Sequence, residues 1–186
     1  MRANSAIRNG KLIIQRFAKE HGNMEYFDIL DQNGNPTGRI HERGKPLAAG
    51  DYHLVVSIWI RNHAGMWLVQ KRADTVKLAP GLWANTAGSA QAGESSRVAA
   101  AREVREELGL LADPAELTFL WRIQGKDFFS DNYAYMCETD VSDLSLQPEE
   151  VADARWITTA QMRAMLADGS FLRLGYMDRL FAHYGE

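Results

Sequence analysis

Cysteine is almost absent from this 186-residue sequence, because Cys137 is the only one. An intrachain disulfide therefore cannot form, and a zinc site built on clustered cysteines is excluded. Long apolar runs are lacking as well, since the stretch over residues 54–60 is far shorter than the roughly 20 residues of a membrane-spanning helix. We therefore expect a soluble protein in a reducing, cytoplasmic setting, with no membrane partner.

An excess of charge of one sign is also lacking, because the formal net charge is only -3. Such a chain has no broad basic field for non-specific nucleic-acid binding, although a few local cations or a metal could still hold a small anionic ligand. The length and the 46 % share of hydrophobic residues suit one globular domain with a real core.

The first 23 residues carry five basic side chains against one acid. A basic, acid-poor segment is typical of a mitochondrial presequence, but serine enrichment and an apolar signal core are missing. We favour a poorly ordered extension over residues 1–23, followed by a single domain over residues 24–186.

Turn residues and the spacing of apolar side chains predict the order of the main elements. Strands are predicted over residues 26–31, 53–60, 66–71, 117–123, 132–137 and 154–157, and helices over 95–108, 158–166 and 172–184. The second and third strands are separated by Asn62-His63-Ala64-Gly65, which predicts a hairpin. This order predicts an α+β fold, an α/β/α sandwich around a mixed β-sheet.

The helix predicted over residues 95–108 carries Glu103, Glu106 and Glu107 at the spacing i, i+3 and i+4. Their carboxylates should lie together on one side of the helix. The opposite side should pack on the sheet through an apolar stripe of Val98, Ala101, Val104 and Leu108.

Grouped glutamates have two interpretations, a solvated acidic surface or a cation site. The macrodipole disfavours negative charge near the helix C-terminus, where these residues lie, and a glycine-punctuated loop precedes the helix. A hard divalent cation would relieve the repulsion, since Mg2+ prefers carboxylate and water oxygens and is often shared with phosphates. We therefore favour a site for phosphate chemistry.

The residues around this helix resemble a known family signature. Gly88, five residues, Glu94, seven residues, Arg102-Glu103-Val104, one residue, Glu106-Glu107, one residue and Gly109-Leu110 match every fixed position of the Nudix box. The resemblance covers about residues 25 to 165. It implies a Nudix-type fold and a metal-dependent hydrolase that cleaves a diphosphate linkage in a small molecule.

The same resemblance implies roles for individual residues. Glu106 and Glu107 would be metal ligands, and Glu103 would be a further ligand or the base. The main-chain carbonyl of Ala87 would be another ligand of Mg2+ or Mn2+. In the catalytic set, Arg102 would hold Glu94 and orient the carboxylates, a role that suits guanidinium geometry.

Candidate substrate-binding residues lie outside the box. Lys71 and Arg72 end a predicted strand near the active-site loop and could hold phosphate, or could form an ordinary ion pair. Trp83 could stack on an organic group or pack beneath the loop. Glu149 and Glu150 are candidates for the glutamate outside the box that serves many family members as ligand or base.

The stretch over residues 80–95 also resembles isopentenyl-diphosphate isomerase, another enzyme of Nudix fold. That resemblance makes an isomerase the alternative function, but the isomerase needs a cysteine where this chain has Ala87 and a histidine where it has Ser89. A third class is a non-catalytic ligand-sensing module, which is disfavoured because the box is complete. We expect a nucleoside diphosphate linked to another moiety, or a related organic diphosphate, as substrate, and the exposed strand edges would allow a homodimer.

Overall fold

A computed structural model describes residues 25–186, so the predicted extension over residues 1–23 lies outside the described residues. The strands are Tyr26–Leu30 (β1), Pro36–Glu42 (β2), His53–Arg61 (β3), Trp67–Arg72 (β4), Trp83–Ala84 (β5), Thr86–Ser89 (β6), Thr118–Gln124 (β7), Phe128–Met136 (β8) and Val151–Ile157 (β9). The α-helices are Ser96–Leu108 (α1), Thr159–Asp168 (α2) and Met177–His183 (α3). Short 3-10 helices cover Pro114–Glu116 and Val141–Asp143.

The strands form a small antiparallel sheet of β1 and β2 and a larger mixed sheet. The larger sheet has the order β5-β4-β3-β8-β7, with β6 also paired to β3 and β9 to β4. The β3–β8 pairing is parallel, and the other pairings are antiparallel. The predicted mixed sheet is therefore confirmed.

Helices cover both faces of the larger sheet. Successive side chains of a strand point to opposite faces, and on β3 Val56 and Ile58 pack in the cluster that contains Val104 of α1. Trp59, between Ile58 and Ile60, packs instead with Met162 of α2. The fold is thus the expected α+β sandwich, with α1 on one face and the C-terminal helices on the other.

The larger sheet opens between β3 and β4. These two described strands pair where Ile60 faces Leu68 and Arg61 faces Trp67. Away from that end, β3 pairs with β6, whereas β4 pairs with β5 and β9. The chain segment over residues 83–89 therefore crosses from one half of the sheet to the other, and α1 packs against β3 and β6 beside this opening.

Helix α1 has defined ends. Ser95 caps its N-terminus by accepting a hydrogen bond from the main-chain N–H of Val98, and Gly109 ends it in the left-handed conformation with φ of 74°. The prediction that Val98 packs on the sheet is wrong, because Val98 is 46 % exposed. The small side chains of Ala99 and Ala100 are fully buried instead, so the helix approaches the sheet on a face rotated away from Val98.

The two largest boundary differences from the sequence prediction are at β8 and at the last helix. Strand β8 begins at Phe128 and not at residue 132, because it pairs with β3 from the His53–Phe128 pair onward. The last helix begins at Met177 and not at residue 172, because the N–H of Leu172 donates to the carbonyl of Trp83 in a non-helical contact. Strands β2, β5 and β6 were not predicted.

We expect Gly109→Ala to lower the free energy of unfolding more than Gly169→Ala. Both glycines end a helix with positive φ, so alanine at either position costs about 1–2 kcal/mol of backbone strain. At Gly109 the added Cβ would also lie 2.7 Å from Cβ of Ser145, whereas at Gly169 it would meet no atom within 4 Å. Urea unfolding measures both losses, and equal losses would contradict the proposed contact.

Candidate active site

The guanidinium of Arg102 joins three carboxylates of the box. Its Nε donates to Glu94 Oε1 at 2.9 Å, and Nη2 donates to Glu94 Oε2 at 3.0 Å. Nη1 donates to Glu103 Oε1 and to Glu106 Oε2, both at 2.8 Å. Nη2 also donates to the carbonyl of Ser89 at 2.9 Å, so the arginine ties α1 to the loop before it and to the end of β6.

Glu103 lies against Gly88 of β6. A Cβ on residue 88 would overlap the Glu103 carboxylate, so only glycine leaves room for this close approach. The Glu103 side chain is 12 % exposed. Burial raises its pKa to about 7, although the charge and hydrogen bond of Arg102 oppose that shift.

Glu107 is buried in the opening between β3 and β4, with 4 % exposure. Its Oε2 accepts a hydrogen bond of 2.9 Å from Nε2 of Gln70 on β4. Burial, followed by the charge of Glu103, raises the pKa of Glu107 to about 8. The expected arrangement of all three glutamates opposite the apolar face is wrong for Glu107, because the rotation of α1 turns that residue toward the sheet, while the side chain of Glu106 stays 42 % exposed.

The carboxylates suit a cation that is held only in part by the protein. Among residues 25–186, no group of three or more His, Cys, Asp or Glu side chains has the spacing to hold a metal ion by itself. Glu103 and Glu107 are nevertheless neighbouring buried carboxylates, and burial is the main cause that raises the pKa of each. Mg2+ fits such a donor set, since it keeps several waters and binds one or two carboxylates together with substrate phosphates.

A cavity of about 930 Å³ lies on the sheet face opposite α1, beside the opening. His53, Val55 and Ser57 of β3 form part of its floor, and the segment over residues 172–176 forms part of its wall. The cavity is also lined by the candidate site residues Arg72, Ala87, Glu149 and Glu150 and by Gly88 of the box. The carboxylates of α1 do not line the cavity, but Gly88 lines it and lies against Glu103.

Two predicted substrate contacts are not part of this cavity wall. Trp83 is 9 % exposed and packs in the core cluster that contains Phe171, with the guanidinium of Arg155 4.0 Å from its ring centroid. Lys71 lies opposite Trp83 and Asp153 in the sheet. Of the neighbouring residues Lys71 and Arg72, Arg72 is the one that lines the cavity. Its Nε donates to the carbonyl of Leu78 at 2.8 Å.

A chain of buried polar groups lies between the cavity and Glu107, and the sequence prediction missed its role. Tyr176 O–H lies 3.0 Å from Oγ of Ser57, which accepts a 2.7 Å hydrogen bond from Nδ2 of Asn85. On the α1 side of the sheet, Oγ1 of Thr86 donates to Oε1 of Gln70 at 3.2 Å. Gln70 is a polar residue that follows the apolar residues 67–69 within β4, and that pattern is the signal that could have identified it. Asn85, between β5 and β6, has no such signal.

Comparison of the sequence with models of protein families shows to which family this chain belongs. The model of the NUDIX domain matches residues 51–175. The chain therefore belongs to the Nudix family, and its relatives indicate a hydrolase of the pyrophosphohydrolase kind.

Among the residues that the structure describes, every helix is too short or too polar to span a membrane.

Individual relatives place the chain within that family. An uncharacterized Nudix hydrolase of Listeria monocytogenes is 39 % identical, over 85 % of this chain and 94 % of the relative. The isopentenyl-diphosphate Delta-isomerase of Escherichia coli is 31 % identical, over 74 % of this chain and 79 % of the isomerase. A crystal structure of a Deinococcus radiodurans protein shares the fold with a TM-score of 0.70 at 20 % identity, covering 87 % of this chain and all of that one.

We expect Arg102→Gln to destabilise the protein by about 2 kcal/mol or more, because it leaves Glu94 and Glu103 without their charged partner in a largely buried place. Arg105→Gln makes the same chemical change one turn away, at an exposed position, and should stay within about 0.5 kcal/mol of the wild type. Thermal and urea unfolding measure both. Similar losses in the two variants would show that the contacts of Arg102 contribute little.

Proposed function

We propose that this protein is a Mg2+- or Mn2+-dependent hydrolase that cleaves a diphosphate linkage in a small organic molecule. The single observation that carries the proposal is the position of Gly88, which lines the large cavity and lies against the buried carboxylate of Glu103. The family membership supports the hydrolase class, and the carboxylate oxygens support the choice of a hard cation.

The proposed ligands of the cation are one or two of the carboxylates of Glu103, Glu106 and Glu107 and the main-chain carbonyl of Ala87, with water and substrate phosphate in the remaining positions. When bound, the cation would neutralise the diphosphate and acidify a water for attack on phosphorus. Glu103, against Gly88, is suited to accept the proton of that water if it is not itself a ligand.

Other side chains would bind and orient. Arg102 would hold the carboxylates in place through the hydrogen bonds that it makes to Glu94, Glu103 and Glu106. Arg72 lines the cavity and would contact a substrate phosphate, whereas Lys71 and Trp83 would support the wall from outside. Glu149 and Glu150 also line the cavity, and either could take part as a further ligand or base.

The cavity has room for an organic group as well as a diphosphate. Ligand pockets commonly measure about 300–1,000 Å³, and this one has about 930 Å³. We propose a nucleoside diphosphate linked to another moiety, or a related organic diphosphate, as the substrate class. The single cysteine suits a reducing, cytoplasmic setting, and a homodimer stays a prediction from the exposed strand edges.

The isomerase alternative is less well supported despite the relative from Escherichia coli. Ala87, at the position where the resemblance expects the isomerase cysteine, lines the cavity, and a methyl group cannot transfer a proton. Cys137 follows β8 and does not line that cavity. Burial also raises the pKa of the Cys137 thiol, which disfavours the reactive thiolate.

The test is a screen of nucleoside di- and triphosphates, dinucleotides, nucleotide sugars and prenyl diphosphates with Mg2+ or Mn2+, with products identified by mass. Reaction in 18O-labelled water shows which phosphorus receives the oxygen. A chelator should abolish turnover and added Mg2+ should restore it. Turnover that persists after complete chelation would contradict the proposed metal dependence.

We expect Glu107→Gln to reduce metal-dependent turnover by roughly 100-fold or more, because a neutral amide is a weak ligand for a hard cation. The shape of the side chain is conserved, so the variant should fold. Glu116→Gln, at an exposed position outside α1, provides the same change as a control and should leave turnover unchanged. Wild-type turnover in Glu107→Gln would rule out the proposed ligand.

We expect no dimethylallyl diphosphate when the protein is incubated with isopentenyl diphosphate and Mg2+, because Ala87 offers no proton donor. Product analysis by mass spectrometry and chromatography measures the isomer. An active isomerase in the same assay provides the positive control. Formation of the isomer by this protein would make the isomerase assignment the correct one.

A further inference from the structure

Gln70 occupies an unusual place in the sheet. It lies on β4 and is 1 % exposed, beside the opening between β3 and β4. An amide placed there must satisfy both of its polar ends internally, because an unpaired buried polar group costs about 1–3 kcal/mol. Both ends have partners, and the two partners belong to different elements.

The orientation of the amide is set by those partners. Nε2 of Gln70 faces the carboxylate of Glu107 and donates to Oε2 at 2.9 Å, which is the orientation that suits a carboxylate acting as acceptor. The carbonyl Oε1 then faces the hydroxyl of Thr86 on β6, at 3.2 Å. Gln70 therefore connects one half of the opened sheet to the other and holds one oxygen of Glu107 while doing so.

We infer that Gln70 is a positioning residue, which fixes Glu107 so that the carboxylate presents its other oxygen, Oε1, to the divalent cation. The inference rests on the proposed function, in which Glu107 is a metal ligand. The side chain of glutamate has three rotatable bonds, so a free carboxylate can rotate. A hydrogen bond to one of its oxygens removes that freedom before the cation binds. Thr86 in turn fixes the amide, and the main chain of β6 holds Thr86 through its pair with Ile58.

Nothing else among the described hydrogen bonds serves Glu107 in this way. Arg102 donates to Glu94, Glu103 and Glu106, and the side-chain bond recorded for Glu107 is the one from Gln70. Arg102 of the box thus orients Glu94, Glu103 and Glu106, while Gln70, from outside the box, orients Glu107, the most buried of these carboxylates.

The experiment measures Mn2+ binding by the electron paramagnetic resonance signal of the free ion, at one pH and without substrate. Gln70→Met keeps the length and volume of the side chain but cannot donate to Glu107, and we expect its Kd for Mn2+ to rise about 10- to 100-fold. Gln70→Asn keeps the amide but shortens the side chain, and should show the same direction. It serves as the second variant if the methionine variant does not fold.

A matched control separates positioning from general loss of stability. Thr159→Val removes the partly buried hydrogen bond of 2.8 Å from Trp67 Nε1 and the exposed hydrogen bond to Glu186, both on the other face of the sheet. It should destabilise by about 1 kcal/mol and leave the Kd for Mn2+ unchanged. If Thr159→Val weakens Mn2+ binding as much as the Gln70 variants, or if both Gln70 variants bind as the wild type does, the inference is wrong.

A double-variant cycle tests whether the effect passes through Glu107. In a Glu107→Gln background, adding Gln70→Met should change the Kd for Mn2+ by less than about twofold. A further tenfold loss in that background would mean that Gln70 acts by another route. Failure of the wild type to bind Mn2+ would instead overturn the proposed metal dependence, so the two failures give different results.

Discussion

The ion-pair group around Arg102 holds the candidate site together. One guanidinium contacts Glu94 from the loop, Glu103 and Glu106 from α1 and the carbonyl of Ser89 from β6. Carboxylates at helical spacing repel one another. The positive charge of Arg102 reduces that repulsion for the carboxylates that it contacts. Glu107 instead accepts a hydrogen bond from Gln70 of the sheet. The carboxylates are therefore held by two different partners, a charged arginine and a neutral glutamine.

The family, the fold class and the carboxylate helix could be predicted from sequence because their signals are local. The box has fixed spacing, α1 has Ser95 and Gly109 at its ends, and apolar periodicity indicates the strands. The face that α1 turns to the sheet could not be predicted in the same way. Ala99 and Ala100 carry little hydrophobic signal, yet they decide how closely the helix approaches and so bury Glu107 while exposing Val98.

The cavity was less predictable, because it is made of residues distant in sequence. Arg72, Glu150 and Tyr176 come from three separate segments and meet only after the sheet has opened between β3 and β4. The sequence left Trp83 either to contact a ligand or to pack beneath the loop, and the tertiary packing with Phe171 and Arg155 places it in the core. Residue type alone does not distinguish those two environments.

The opened sheet separates the part of the molecule that carries the carboxylates from the part that forms the cavity wall. The helix with the carboxylates lies on one face, whereas the segment over residues 172–176 and the loop before β5 form the cavity wall on the other. Mutations in the wall can therefore accumulate without disturbing the helix, so that descendants of one ancestor can come to accept different compounds.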